Sequence, residues 1–381
     1  MDNRIEEILY KEKKRQLLTV ELIASENFAS DAVMELNGSI FTNKYAEGYP
    51  ENRYYNGCKH MDEIETLAID QLKEIYGCEY ANVQPHSGAN ANTAIYNAFL
   101  SPGDKLLGMD LSSGGHLTHG AKVAMPGKLY DCETYGVDEN GLIDMEEVLS
   151  LAIKHKPKMI VAGASAYPRQ IDWKGFRQIA NEVGAYLLVD MAHYSGLVAG
   201  NVYDSPMKYA HFVTSTTHKT LRGPRGGIIM WNEKIFTKKI NSSIFPGTQG
   251  GPLMNTIAAK AQCFIEANTP EFSVYAKSVV ENAQEMCRVF AARGIKTQTN
   301  GTDSHIVLID LSDSDMSGRE AADLLEENSI TVNKNGIPND PRSFTETSGI
   351  RIGTAAETTR GYDLEDFNEL AHTICDILLD E

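Results

Sequence analysis

The sequence predicts an α/β protein with a mostly parallel central sheet, followed by a smaller α+β domain. Between residues 80 and 230, short apolar runs alternate with segments of helical periodicity, which is the pattern of parallel strands connected by helices. After about residue 252 the pattern changes to two long helical stretches followed by short strands, which indicates a second domain joined by a long helix.

The composition is typical of a globular protein and argues against several classes of partner. The 381 residues carry 35 basic and 52 acidic side chains, so the net charge of −17 makes nucleic acid and anionic membranes unfavourable partners. Six scattered cysteines without a CxxC pair indicate neither a disulfide framework nor a zinc cage, and suit a reducing cytoplasm. We expect no secretory signal and no membrane span, because no apolar run has the required place or length.

Two helices are predicted before the sheet. Ile5, Ile8 and Leu9 lie among charged residues and indicate an amphipathic N-terminal helix. Residues 62–76 place five apolar side chains on one face of a second helix, which Gly77 ends. These five are Ile64, Leu67, Ala68, Leu72 and Ile75.

The remaining elements follow from apolar runs and helical periodicity. Strands of the α/β region are predicted at 105–109, 159–162, 185–190, 212–215 and 226–230, with helices at 144–155 and 173–183. In the second region, helices are predicted at 253–268, 271–293, 318–328 and 364–379, with strands at 295–298, 305–311, 330–332 and 350–352.

A candidate phosphate site lies between a strand and a helix predicted to start near Ala91. Ser87, Gly88 and Ala89 stand there, and small residues at a helix N-terminus expose backbone N–H groups to an anion. The same residues also fit a plain N-cap with a tight turn.

A carboxylate and an imidazole follow the apolar run at 185–190. Asp190 ends the run and His193 comes three residues later. A buried carboxylate needs a cationic partner to offset its desolvation, and a pyridinium nitrogen or a metal ion would serve. The alternative is that Asp190 only caps the following turn.

Lys219 stands in a Gly-rich loop between two predicted strands, close to His218 and Thr216. A desolvated lysine has a lowered pKa and becomes a nucleophile towards aldehydes. If the strands before Asp190 and Lys219 are adjacent, both side chains can reach one cleft. A carboxylate for a pyridinium and a lysine for an aldehyde are what pyridoxal phosphate requires.

Three further patterns bear on ligand binding and catalysis. Arg351 on a predicted strand fits either a two-donor clamp for a carboxylate or a surface salt bridge. His116 and His119 are three residues apart, but no third ligand has a matching spacing, so we expect no metal site. The chain also has no GxSxG, GxGxxG or Walker A motif.

Eight segments together resemble the serine hydroxymethyltransferase family, in order and over essentially the whole chain. The most specific is Thr-Thr-His-Lys-Thr-Leu-Arg-Gly-Pro-Arg-Gly-Gly at 216–227. The others are 21–27, 42–50, 81–88, 114–120, 189–193, 245–252 and 332–335.

The resemblance implies a fold-type-I pyridoxal-phosphate enzyme with a seven-stranded sheet in its large domain. It implies reversible transfer of the hydroxymethyl carbon of L-serine to tetrahydrofolate, giving glycine and 5,10-methylenetetrahydrofolate, and folate-free cleavage of 3-hydroxy amino acids. We expect an N-terminal arm over 1–17, a large domain over 18–265 and a small domain over 266–381. Active sites are expected at a homodimer interface, with a tetramer left open.

The resemblance also implies roles for individual residues. Lys219 is expected to form a Schiff base with the cofactor and Asp190 to pair with its pyridine nitrogen, with His218 and Thr216 as catalytic neighbours of the lysine. The other expected cofactor contacts are His116 on the ring and Ser165 and His193 near the phenolic oxygen. At the phosphate the resemblance implies Ser87, Gly88 and Ala89, with Tyr45, Gly250 and Gly251 reaching it from the partner subunit. The expected substrate contacts are Arg351, Ser25 and the partner's Tyr55, and Leu111, Gly115, Leu117 and Asn335 for folate. The partner's Glu47 is expected to be catalytic, handling protons at the substrate hydroxyl and contacting folate.

Three departures from the family pattern affect the expected folate affinity and assembly. The chain ends at Glu381, short of the usual bacterial form, so a terminal helix is expected to be missing. Residues 342–347 differ from the usual Ser-Pro-Phe-Val, and Ser113 replaces a common histidine. The alternatives are an aldolase, a transaldolase or an α-methylserine hydroxymethyltransferase with the same cofactor. An inactive binding protein is a further alternative, against which the intact Lys219, Asp190 and Arg351 argue.

Overall fold

The computed structural model describes residues 1–380, so the last residue of the predicted small domain, Glu381, lies outside the described residues. The strands are β1 (Val20–Glu21), β2 (Gly48–Tyr49), β3 (Asn52–Arg53), β4 (Tyr80–Asn82), β5 (Lys105–Met109), β6 (Asp131–Tyr135), β7 (Met159–Ala162), β8 (Tyr186–Asp190), β9 (Phe212–Thr216), β10 (Gly227–Trp231), β11 (Lys296–Thr297), β12 (Ile306–Asp310), β13 (Ile330–Thr331), β14 (Asn333–Asn335) and β15 (Gly349–Gly353). The α-helices are α1 (Asn3–Leu18), α2 (Asp31–Asn37), α3 (Lys59–Tyr76), α4 (Gly88–Phe99), α5 (Met125–Leu129), α6 (Met145–His155), α7 (Trp173–Val183), α8 (Ser195–Ala199), α9 (Thr237–Ser242), α10 (Met254–Ala267), α11 (Pro270–Ala292), α12 (Gly318–Glu327), α13 (Ala355–Arg360) and α14 (Leu364–Leu379).

The large sheet has seven strands in the order β4-β10-β9-β8-β7-β5-β6. Neighbours from β9 to β6 pair in parallel, whereas β10 runs antiparallel to both β9 and β4. Strand β7 sends Ile160 into the core on one face and Met159 and Val161 into the core on the other. Because both faces are covered, these strands are apolar runs without alternation. The predicted α/β fold with a mostly parallel sheet is confirmed.

The parallel strands bring candidate site residues to one edge of this sheet. Strand β8 ends at Asp190, and its neighbour β9 pairs Thr214 with Asp190 before leading to Lys219. Helix α4 begins at the same edge with Ser87 as its N-cap. Ligands of parallel α/β sheets bind outside the carboxyl ends of the strands. The prediction that adjacent strands lead to Asp190 and Lys219 is therefore confirmed.

A second, antiparallel sheet has the order β11-β12-β15-β14 and carries Arg351 on β15. It packs on a separate apolar core that includes Phe290, Val307, Ile350 and Phe367. Helix α11 joins the two cores, since its first half packs in the first and its second half in the other.

Several predictions about single elements are wrong in detail. Helix α4 begins at Gly88 rather than near Ala91. Leu67 on α3 is 40% exposed, although the helical spacing places it on the same face as buried residues. Helix α1 forms as predicted but buries none of its side chains within this chain. Edge strand β6 was not predicted, because its sequence Asp-Cys-Glu-Thr-Tyr is mostly polar. None of the helices in residues 1–380 combines the length and apolarity that crossing a membrane requires.

Candidate active site

A cavity of about 360 Å³ opens at the carboxyl edge of the large sheet. It brings together residues that lie far apart in the sequence, from Ser25, shortly after β1, to Arg351 on β15. The lining includes twelve of the residues predicted from the sequence, namely Ser25, Ser87, Gly88, Ala89, His116, Ser165, Asp190, His193, Thr216, His218, Lys219 and Arg351. Arg225, Ala164 and Ala192 complete it.

Asp190 is a buried carboxylate whose oxygens accept three hydrogen bonds. Asn92 Nδ2 and His119 Nε2 lie 2.8 and 3.0 Å from Oδ2, and the backbone N–H of Ala192 lies 3.1 Å from Oδ1. Burial by itself would raise the pKa of Asp190, but the hydrogen bonds from His119 and Asn92 hold it well below its usual range. No lysine or arginine of residues 1–380 forms an ion pair with this carboxylate. A cationic ring nitrogen would therefore find an ionised partner here.

Lys219 is buried in the loop between β9 and β10, and its ammonium has no hydrogen bond or ion pair with any residue described. Burial lowers its pKa to about 8, while the charge of Asp190 raises it and those of Arg351 and Arg225 lower it. The backbone is fixed by Asn27, whose Nδ2 donates to the Lys219 carbonyl at 2.9 Å. A partly neutral amine on a fixed backbone is the state in which lysine attacks an aldehyde.

Ser87 and Gly88 form a cradle at the N-terminus of α4. The Ser87 hydroxyl accepts from the Asn90 backbone N–H at 3.2 Å, which is the geometry of an N-cap. A Cβ on Gly88 would lie 2.8 Å from Cγ2 of Thr216, so a side chain at this position would be compressed. Ser87, Gly88 and Ala89 line the cavity, so this twelve-residue helix begins at its wall, and the N–H groups of a helix's first turn are the donors that a phosphate prefers.

Arg351 reaches the cavity from the second sheet. Its Nη1 donates to the Ser165 carbonyl at 2.7 Å and its Nε to Asn333 Oδ1 at 3.1 Å. Both acceptors are neutral, and burial lowers the pKa of Arg351 to about 10. Within residues 1–380 no carboxylate forms an ion pair with this guanidinium. A partly buried arginine without a counterion is suited to hold the carboxylate of a ligand.

Three imidazoles line the cavity and are neutral. Burial lowers the pKa of His116 to about 4 and that of His218 to about 3, and it lowers the pKa of His193 well below its usual value. The Nδ1 of His116 accepts from the backbone N–H of Thr118 at 3.1 Å. The ring is therefore held in one orientation.

A second cavity, of about 1020 Å³, adjoins the first and shares His116, Ser165 and Arg351 with it. All four residues that the resemblance assigns to folate line it, namely Leu111, Gly115, Leu117 and Asn335. Phe344, one of the departures from the family pattern, also lines this cavity and is 79% exposed.

The residues expected from a partner subunit form a separate cluster in this chain. The Tyr45 hydroxyl lies 3.3 Å from Glu47 Oε1, and its ring contacts that of Tyr55 edge to face. A Cβ on Gly250 would lie 3.2 Å from Glu47 Oε1, and one on Gly251 would touch the Tyr45 ring. None of these five residues lines the first cavity of their own chain. Tyr45 and Tyr55 are about half exposed, at 54% and 47%.

The cavity fits pyridoxal phosphate on the chemistry of its own groups. An ionised carboxylate without a cationic side chain, a lysine amine without a partner and a glycine-bounded helix N-terminus stand around one space. These groups match a pyridine nitrogen, an aldehyde and a phosphate. In the part of the chain that the structure describes, no three His, Cys, Asp or Glu side chains come together in a way that could hold a metal ion.

Sequence reasoning missed several residues that shape this site. Asn92 and His119 hold Asp190, and Arg225 adds a positive charge to the cavity wall. Asn92 is separated from Asp190 by 98 positions. Only the spacing of His119 from His116 was a signal, and it was considered for a metal rather than for Asp190.

Comparisons with known proteins agree with this chemistry. The family model described as serine hydroxymethyltransferase matches residues 1–374. Proteins named serine hydroxymethyltransferase from a Wolbachia of Drosophila simulans and from Xanthomonas campestris pv. campestris are 56% and 57% identical to this chain. The alignments cover 99% of the chain and 89% and 91% of those relatives. Serine hydroxymethyltransferase 1 of Pseudomonas fluorescens is 57% identical over 97% of the chain and 89% of its own length. The chain therefore belongs to the serine hydroxymethyltransferase family, whose members are fold-type-I enzymes that depend on pyridoxal phosphate and use tetrahydrofolate.

Proposed function

We propose that this chain catalyses the reversible conversion of L-serine and tetrahydrofolate to glycine and 5,10-methylenetetrahydrofolate in the cavity at the carboxyl edge of its large sheet. The observation that carries the proposal is the placement of Arg351, without a counterion, in the same cavity as Lys219 and Asp190. An amino acid bound by its carboxylate at Arg351 would have its amino end in the space that also contains the lysine.

Pyridoxal phosphate, when bound, supplies an aldehyde carbon for an amine and a ring that accepts the electron pair released at the α-carbon. Asp190 would hold the protonated ring nitrogen, because His119 and Asn92 keep its carboxylate ionised and aimed. Ser87, Gly88 and Ala89 would hold the phosphate at the start of α4. His116, Ser165 and His193 would border the ring and its phenolic oxygen.

Lys219 would act as the nucleophile and as a carrier of protons at Nζ. Its pKa of about 8 leaves a fraction of the amine neutral near neutral pH, and this fraction can attack a carbonyl or accept a proton. Thr216 and His218 line the same cavity beside it. Thr220, one residue beyond Lys219, donates to the His193 carbonyl at 2.8 Å, which anchors the lysine loop to the loop that follows β8.

We further propose that the active unit is a homodimer with shared sites. The exposed Tyr45 and Tyr55 and the half-buried Glu47 form a cluster that lies outside the cavity of its own chain, and α1 buries no side chain in that chain. Both observations support a second copy whose cavity receives this cluster. The proposed division into an arm, a large domain over 18–265 and a small domain from residue 266 has support in the presence of two apolar cores, but the core of the large sheet extends along α11 as far as Val279. Cys58, Cys78, Cys132, Cys263 and Cys287 form no disulfide, which supports a reducing compartment, the cytoplasm.

The test is serine turnover by the purified, cofactor-loaded protein, with glycine formation measured in the presence and absence of tetrahydrofolate. We expect folate-dependent glycine formation, and a rise of about tenfold to a hundredfold in the serine KM of Arg351→Lys, because a point charge cannot replace a two-donor fork. Arg288→Lys is the matched control, since this exposed arginine pairs with Glu285 on the same helix. Cleavage of allo-threonine without any folate-dependent serine turnover would instead identify an aldolase.

A further inference from the structure

One ring nitrogen of His193, Nδ1, contacts a residue that does not line the cavity. This Nδ1 lies 3.3 Å from Nε2 of His305, which immediately precedes β12 in the second sheet. The two rings are nearly parallel, at 17°, and their centroids are 5.5 Å apart, so they meet edge to edge through these two nitrogens. His305 is completely buried and does not line the cavity.

A third group decides which nitrogen carries the proton. The carbonyl oxygen of Ala24 lies 3.2 Å from the same Nε2 of His305. A carbonyl can only accept, so the hydrogen must be on His305 Nε2, where Ala24 and His193 Nδ1 share it. Burial lowers the pKa of His305 to about 3 and that of His193 well below its usual value, so each neutral ring has one N–H. The proton of His193 is then on Nε2.

The opposite arrangement has two separate costs. It would place the lone pair of His305 Nε2 against the Ala24 carbonyl. It would also put a hydrogen on His305 Nδ1, which is buried and has no partner in residues 1–380. A buried N–H without an acceptor is among the rarest defects in folded proteins. Both costs favour the same proton placement.

We propose that His305 is a positioning residue that holds His193 as its Nε2–H tautomer, so that the cavity wall presents a neutral N–H donor to an anionic oxygen of the bound cofactor or substrate. The role of this donor rests on the proposed function, whereas the tautomer itself does not. The contact also joins the two sheets, because His305 directly precedes β12 while His193 follows β8. Ala24 packs closely against β15, since a Cβ on Gly353 would lie 2.3 Å from its Cα.

The tautomer can be measured directly by long-range ¹H–¹⁵N correlation on the full chain with ring-¹⁵N histidine, with and without pyridoxal phosphate. His211 is an internal reference, because its Nδ1 accepts from the Leu187 N–H at 2.9 Å and its proton must also be on Nε2. We expect His193 to show the His211 pattern. We expect His305→Leu to convert His193 partly to the Nδ1–H form, and His305→Gln to restore the original pattern through its amide N–H. His211→Leu is the matched control and should leave His193 unchanged.

A functional measurement separates this proposal from the proposed function. In the loaded enzyme, we expect His305→Leu to shift the visible absorption of the bound cofactor and to lower kcat on the order of tenfold, the scale of one hydrogen bond to a charged group, with His305→Gln close to wild type. An Nδ1–H signal for His193 in the wild type would overturn the proposal, even if His305→Leu fails to fold. An unchanged His193 tautomer in folded His305→Leu would also overturn it. If the tautomers behave as expected but no cofactor binds, the proposed function fails, whereas the control of the His193 tautomer by His305 stands.

Discussion

The Nε2 nitrogen of His119 lies 3.0 Å from the Oδ2 oxygen of Asp190. The other ring nitrogen of His119 accepts from the backbone N–H of His116 at 3.2 Å, so its Nε2 carries the hydrogen and donates it. The three-residue spacing of His116 and His119 therefore allows a capping hydrogen bond between them. This bond directs the Nε2–H of His119 at the carboxylate of Asp190. This relationship keeps Asp190 ionised in a buried place, which is what a protonated ring nitrogen needs opposite it.

Covalent labelling should distinguish two buried lysines. Lys219 and Lys260 both have lowered pKa values, of about 8 and about 7, because both are buried. The ammonium of Lys260 donates to the carbonyls of Val83, Pro85 and Gly227 and does not line the cavity. We expect borohydride treatment of the cofactor-loaded protein to attach the cofactor to Lys219 alone, as read by peptide mass spectrometry. Lys219→Ala should lose the label and turn over negligibly, whereas label on Lys260 would contradict the assignment.

The reaction of Lys219 with an aldehyde should depend on pH with a midpoint near 8. The neutral amine is the nucleophile, so the rate of pyridoxal attachment to cofactor-free protein should increase as pH rises through about 8, well below the ordinary lysine value of 10.5. Asp190→Asn removes a charge that raises this pKa and should move the midpoint down. Arg351→Gln removes one that lowers it and should move the midpoint up. Equal shifts of the midpoint in the same direction for both variants would show that the charges of Asp190 and Arg351 do not set the pKa of Lys219 in this way.

The phosphate cradle should tolerate alanine at position 88 only if Thr216 is shortened. Gly88→Ala places a Cβ 2.8 Å from Cγ2 of Thr216, and such overpacking costs about 1–3 kcal/mol. Thr216→Ser removes that methyl group. In a double-mutant cycle of unfolding free energies, we expect the double variant to be more stable than the sum of the single effects predicts. Additive effects would mean that the two positions do not touch.

Glu47 should matter for transfer to folate more than for folate-free cleavage. Glu47→Gln keeps the shape of the side chain but cannot exchange a proton at the substrate hydroxyl. We expect serine transfer to tetrahydrofolate to fall on the order of 10²-fold or more, the scale of a lost acid–base group, while allo-threonine cleavage falls far less. Steady-state rates for both substrates provide the measurement. An equal fall in both reactions would make Glu47 a structural support.

Hybrid dimers test whether the sites are shared. Lys219→Ala and Glu47→Gln subunits are each expected to be inactive in transfer, but a mixed dimer with shared sites has one site with both groups intact. Random exchange should recover about a quarter of the wild-type rate, because about half of the dimers are hybrids with one working site of two. Each variant exchanged with itself is the control. Absence of recovery after verified exchange would place Glu47 and Lys219 in the same subunit's site.

The local pattern of the sequence predicted much of this architecture. The apolar run at 159–162 and the helical period at 173–183 coincide with β7 and α7, because burial on both faces of a sheet and on one face of a helix leaves a regular mark in the chain. The order of motifs around Asp190 and Lys219 likewise pointed to one cofactor. Leu67 shows the limit of periodicity, since it has the helical spacing of buried residues but remains exposed.

What only the tertiary structure decided is which distant groups meet. Asn92 reaches Asp190 across 98 positions, His305 reaches His193 across 112, and Arg351 reaches the Ser165 carbonyl across 186. Periodicity reports whether a side chain is buried but not what it is buried against. The partners depend on strand order and on how the second sheet packs against the first. The proton positions of His119 and His193 depend on those partners in turn, because an imidazole takes its tautomer from the donors and acceptors around it.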